Sequence, residues 1–94
     1  MGKSYGFIEI PSTTAAIDAL DHMVKAADVE FVTWEKKLGG RLVTVVVQGS
    51  ISAVTAAVEA VKANPPGGEI IAAAVISAPS EETIRMIELS RKKK

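Results

Sequence analysis

The sequence predicts an α/β (α+β) fold of the ferredoxin-like, split βαβ kind. Its parts are a four-stranded antiparallel sheet, two helices on one face of that sheet, and a short C-terminal helix. Three observations lead there. Ile17, Leu20, Val24 and Ala27 share one helical spacing with Ile51, Val54, Val58 and Val61. Each of these stretches lies between two runs that read as strands, so the chain is βαβ twice over. The halves meet at Lys37-Leu38-Gly39-Gly40-Arg41, a glycine-centred hairpin connection. Right-handed crossovers then place both helices on the same face.

The elements follow in order. Tyr5-Gly6-Phe7-Ile8-Glu9-Ile10 is a strand ended by Pro11, and Ser12 or Thr13 offers a hydroxyl N-cap to the first helix. Val29 to Lys36 is strand-like, with Phe31, Val32 and Trp34 among polar residues. Arg41 to Gln48 is a stronger strand, its β-branched side chains suited to a pleated surface. Gly49-Ser50 breaks that strand and caps the second helix. Asn64-Pro65-Pro66-Gly67-Gly68 leads into a last strand from Glu69 to Ser77, and a tail helix runs from about Ser80 to Glu88. Glu81 and Glu82 suit the positive end of its dipole.

One strand carries a further implication. Val43, Val45 and Val47 point to one face, while Leu42 and Val46 point to the other. The face without the two crossover helices therefore also needs cover, either from the tail helix or from another subunit.

Composition narrows the function. A chain of 94 residues fits one domain, expected over 1–90, with Arg91-Lys92-Lys93-Lys94 as a basic disordered tail. Hydrophobic residues make up 48%, more than a core of this size needs, which favours self-association. Formal net charge is zero with both signs interspersed, so there is no electrostatic case for nucleic-acid binding. The absence of cysteine rules out disulfides and thiolate metal sites, and the single His22 cannot build a multi-histidine centre. No apolar run reaches the roughly 20 residues of a membrane helix, and no signal peptide is evident, so a cytoplasmic protein is expected.

The glycines fail as a phosphate loop. Such a loop leads from a strand into a helix, whereas Gly39-Gly40 and Gly67-Gly68 each precede a strand. Val47-Gln48-Gly49 ahead of a helix is similar to the turn of acylphosphatases, which share this fold. Their phosphate-binding arginine has no counterpart, because the helix from Ile51 has no basic residue before Lys62. With no catalytic constellation and no cofactor motif, an enzyme is not expected. A small ferredoxin-like regulatory domain of the ACT or PII kind is the alternative, although the loop between strands is too short for the PII kind.

Three ordered motifs point further. Tyr5-Gly6-Phe7-Ile8-Glu9, then Asp21-His22-Met23-Val24-Lys25-Ala26-Ala27, then Lys37-Leu38-Gly39-Gly40-Arg41 leading into Leu42 to Gly49, resemble the shell proteins of bacterial microcompartments. Their usual forms are G-M-I-E-T, D-A-M-V-K-A-A, and K-I-G-S-G or K-I-G-G-G followed by V-T-V-x-V-x-G. The resemblance spans nearly the whole chain and is to the single-domain, hexamer-forming class. It implies a homo-hexameric tile in a protein shell, with other shell proteins and encapsulated enzymes as partners. It also implies a central pore for small polar metabolites, and it leaves the readings from composition, with no metal, membrane or nucleic-acid partner, as they stand. Lys37, Leu38, Gly39, Gly40 and Arg41 would line that pore, with Gly40 at the narrowest ring. There glycine presents only backbone N–H groups to a passing solute.

Lys25 matches the lysine that lies along the neighbouring tile's edge. Asp28 stands where relatives often have Asn or Arg. Ala78 replaces the arginine of a usual R-P-H segment, which removes five donors from the tile-to-tile contact. Arg41 replaces a usual glycine and, with Lys36 and Lys37, makes the pore mouth more cationic. These departures resemble the shell paralogues of choline- or glycyl-radical-type compartments more than those of carboxysomes. Trp34 is unusual and is not accounted for by the sequence.

Overall fold

A computed structural model of the protein describes residues 3–36, 42–65, 70, 72–77 and 79–93. Among the described residues seven elements follow one another: β1 (Ser4–Ile10), α1 (Thr13–Ala26), β2 (Glu30–Lys36), β3 (Val43–Gly49), α2 (Ile51–Ala63), β4 (Ala72–Ile76) and α3 (Glu81–Lys93). The four strands form one sheet in the order β2-β3-β1-β4, with every neighbouring pair antiparallel. This is the split βαβ arrangement expected from the sequence.

Local chemistry explains where the helices begin. The Ser12 hydroxyl accepts from the Ala15 amide at 3.2 Å, and the Ser50 hydroxyl accepts from the Ala53 amide at 3.1 Å. Each satisfies one of the amides that a helix N-terminus leaves unpaired. Ser80 does the same for α3 through the Thr83 amide, also at 3.1 Å.

The main core lies between the sheet and the pair α1 and α2. Ile8 and Ile10 of β1 and Val43, Val45 and Val47 of β3 meet Ala16, Ala19 and Met23 of α1 and Val54, Ala57, Val58 and Val61 of α2. At its centre α2 closes on β1 over Gly6. A Cβ there would lie 2.9 Å from Val54 Cγ1, 3.1 Å from Val58 Cγ2 and 3.3 Å from Val47 Cγ2.

The expected stripe on α1 is corrected by about one residue. Ile17 and Val24 are 60% and 42% exposed, whereas Ala16, Ala19 and Met23 are buried and Leu20 packs on their margin. The reason is steric. α1 packs against α2 as well as against the sheet, and small side chains on the inner face let helix and sheet approach closely. Ile17 and Val24 are turned outward.

On the opposite face Val46 points away from the other β3 valines, as expected. It joins Tyr5 and Val32 in a second cluster closed by Ile87 of α3, with Phe7 packed alongside. The tail helix therefore covers part of this face, chiefly over β2. It is also longer than expected. Helix continues through Arg91 and Lys92 to Lys93, where a disordered tail was anticipated. Cations in a last turn complement the helix dipole, and Arg91 lies 3.6 Å from Glu88 one turn earlier.

Candidate functional site

The site indicated by the sequence is the connection between β2 and β3. Lys37, Leu38, Gly39, Gly40 and Arg41 lie outside the described residues, as does Ala78. What the structure describes is the stem on which that connection stands. Its last rung pairs Lys36 with Val43, and the rung before pairs Glu35 with Thr44. The row Glu35–Thr44 continues to Glu9 of β1, whose carboxylate accepts from the Thr44 hydroxyl at 3.4 Å.

A register shift shapes this stem. Phe31 pairs with Val47, but Thr33 pairs with Val46, so one extra residue is accommodated between them. Such a bulge turns two consecutive side chains to one face. Val32 accordingly enters the cluster closed by Ile87, and Thr33, also buried, meets α3. The same shift brings Phe31 and Trp34 to the helix face together, although three positions apart would normally oppose them. Trp34 thus gains an account. With Ile17, Leu20, Phe31 and Val45 it lines a hollow of about 280 Å³ between α1 and the edge strand.

The stem is held from both faces. On the helix face Lys36 Nζ sits 4.9 Å from the centroid of the Trp34 ring, within cation–π range. On the α3 face the Ser90 hydroxyl donates to the Glu35 carboxylate and lies 3.0 Å from the Thr33 hydroxyl. Ser90 has a single proton, so with that proton on Glu35 it accepts from Thr33. The chain of donation therefore runs Thr33 to Ser90 to Glu35.

Of the three residues the sequence names for the tile edge, Lys25 lies in the last turn of α1 and Asp28 just beyond it. Lys25 is 2.9 Å from the Asp21 carboxylate. The hydrogen bond and charge of Asp21, helped by Asp18, raise the Lys25 ammonium above its ordinary 10.5. A raised lysine is fully charged below pH 10.5 and loses its proton only as pH climbs past the raised value. Lys25 is therefore a fixed, solvent-exposed cation at any physiological pH. Asp28 is exposed two residues beyond the helix, and its backbone carbonyl lies 3.1 Å from the position a Gly49 Cβ would take. His22 is a surface residue 3.7 Å from Asp18.

Among the described residues no three His, Cys, Asp or Glu side chains are grouped to hold a metal. No described helix is long and apolar enough to cross a membrane.

Residues 4–79 match the family model for the BMC domain. The chain belongs to the BMC-domain family. Over 86 residues it is 41% identical to the bacterial microcompartment shell protein PduA of Citrobacter freundii, covering 90% of this chain and 91% of that protein. It is 42% identical over 84 residues to the carboxysome shell protein CcmK2 of a Synechocystis strain, covering 86% of this chain and 81% of that one. Near-equal identity to the two favours neither compartment type, so the leaning away from carboxysomes gains no support from it. A crystal structure of a microcompartment protein from Desulfitobacterium hafniense superposes with a TM-score of 0.79 at 23% identity. It covers 96% of this chain, which spans about half of that longer one, and it bears on the fold alone. Membership in the BMC-domain family removes the case for an ACT- or PII-like sensor.

Proposed function

We propose that this chain is a structural subunit of a bacterial microcompartment shell, lying in the cytoplasm as part of that shell, and that six copies close around one axis. In this reading residues 37–41 face the axis, with Gly40 at the narrowest ring and Lys37 and Arg41 lending positive charge. Small polar metabolites cross there, while other shell proteins adjoin the tile and enzymes lie within the shell. The role is structural and selective rather than catalytic.

The observation that carries this reading is the family match across nearly the whole chain. The surface of a single copy supports it. Ile17, Val24, Phe31 and Ile51 are each more than two-fifths exposed. Covering the part of one such side chain that is still exposed contributes about 1 kcal/mol, roughly half the value for full burial, so contact with neighbouring copies is favourable. Among the described strands β2 and β4 stand at the edges of the sheet, where a neighbouring copy can pair with or cover it.

Native mass spectrometry tests the assembly. Six copies of a 9.9 kDa chain give a particle of about 59 kDa. A monomer or dimer at micromolar concentration would exclude the tile.

Lys25 bears on the contact between tiles. Because Ala78 offers no donor, Lys25 carries a larger share of the lateral contact, and Lys25→Ala should abolish extended sheets in electron micrographs while the hexamer mass persists. Sheets formed as readily by the variant would remove Lys25 from the edge.

A further inference from the structure

The tail helix touches the element that feeds the candidate pore. α3 packs chiefly on β2, which among the described strands is an edge strand beside β3. The bulge at Val32–Thr33 presents two successive side chains to α3. Ile87 takes up the first, and Ser90, one turn later, takes up the second and reaches on to Glu35. Glu35 is two residues before residue 37, and Lys36 beside it is held on the other face by Trp34.

We propose that Ser90 is a positioning residue for the stem of the 37–41 connection, so that α3 sets where Glu35 and the last rung of β2 stand. The inference rests on the pore reading for its functional meaning. If the connection lines a pore, the helix on the outer face of the sheet governs the placement of charge at the base of that pore. A partner that engages the exposed Met86 and Leu89 of α3 would then be felt at the stem.

The geometry favours this over a purely packing role for α3. Packing is supplied by Ile87, which is 6% exposed and closes the cluster of Tyr5, Val32 and Val46. Ser90 adds little buried apolar area, yet its hydroxyl bridges two β2 side chains that lie two residues apart. A hydroxyl that accepts from a buried threonine and donates to a carboxylate fixes both partners, and hydrogen bonds to charged groups are the stronger kind.

Amide hydrogen exchange, read by mass spectrometry on peptides covering 33–43, tests the assignment. Ser90→Ala keeps α3 helical, because alanine is the better helix former. It should speed exchange in those peptides about threefold to tenfold, with β1 and α2 peptides unchanged. Ser90→Thr restores the hydroxyl and should return exchange to near the wild-type rate. Lys36→Met, which releases the other face, should give a smaller acceleration confined to the same peptides.

Unchanged exchange in Ser90→Ala would overturn the proposal. So would equal acceleration in every peptide, which marks a general stability effect, or failure of Ser90→Thr to restore protection. Native mass measured on the same samples reports the hexamer separately, so loss of the assembly reading is distinguishable from loss of the positioning role.

Discussion

Gly6→Val should destabilise the protein by about 3 kcal/mol or more, and Gly6→Ala by about 1–2 kcal/mol. The sign runs against strand preference. Valine suits a strand and glycine weakens one, so β-propensity alone predicts a gain. Packing reverses it. A Cβ on Gly6 meets methyl groups of Val54, Val58 and Val47 at 2.9–3.3 Å, closer than carbon atoms pack without repulsion. All three are buried, and β-branched side chains are stiff at χ1, so none can swing aside.

The added methyl must therefore push α2 off the sheet or force Val54 off its rotamer. Chemical denaturation at matched protein concentration measures the effect, since oligomer stability depends on concentration. Val54→Ala in the Gly6→Ala background should recover part of the loss, because it removes the methyl that collides first. An increase in stability for Gly6→Ala would show that α2 is free to move, contrary to this packing.

Gly6 also shows how the sequence could be read. The alternation of Phe7 and Glu9 against Ile8 and Ile10 marks a strand, and the serines at 12, 50 and 80 mark helix starts. Each is local chemistry, legible without neighbours. The rotation of α1 is not local. Ile17, Leu20 and Val24 outweigh Ala16 and Ala19 on any hydrophobic scale, yet the alanines go inward because a second helix and a sheet compete for the same space. Alanine contributes by being small, a property visible only once the partners are placed.

The stem of the candidate site was legible only in part, for a related reason. Phe31-Val32-Thr33-Trp34 breaks the two-residue alternation, which is the trace a bulge leaves in a sequence. Without the pairing to Val46 and Val47 nothing says which residue is the extra one. Trp34 therefore had no assignable face, and the link from Thr33 through Ser90 to Glu35 spans more than 50 residues of chain. Lys25 is exposed in the last turn of α1 and paired with Asp21. That pairing was readable in advance, since residues four apart on a helix are neighbours.

Gly40→Phe should close the proposed pore while leaving the hexamer intact. In the proposed six-fold tile the effect is large, because one substitution would place six aromatic rings about a single axis. Glycine contributes only backbone to such a ring, so its N–H groups stay available to a polar solute. Six phenyl groups replace that polar lining with a hydrophobic constriction, which excludes water as well as narrowing the passage. Passage of a small polar solute across reconstituted tiles should fall by roughly an order of magnitude or more.

Native mass should remain at the hexamer value in that variant, because in the pore reading the added ring is placed in the axial opening and not between subunits. Three outcomes separate the readings. Reduced passage with the hexamer retained supports the pore. Unchanged passage with the hexamer retained means that the narrowest ring lies elsewhere. Loss of the folded hexamer means that Gly40 serves as a hairpin turn, where a bulky side chain is excluded by the backbone itself and not by a solute's path.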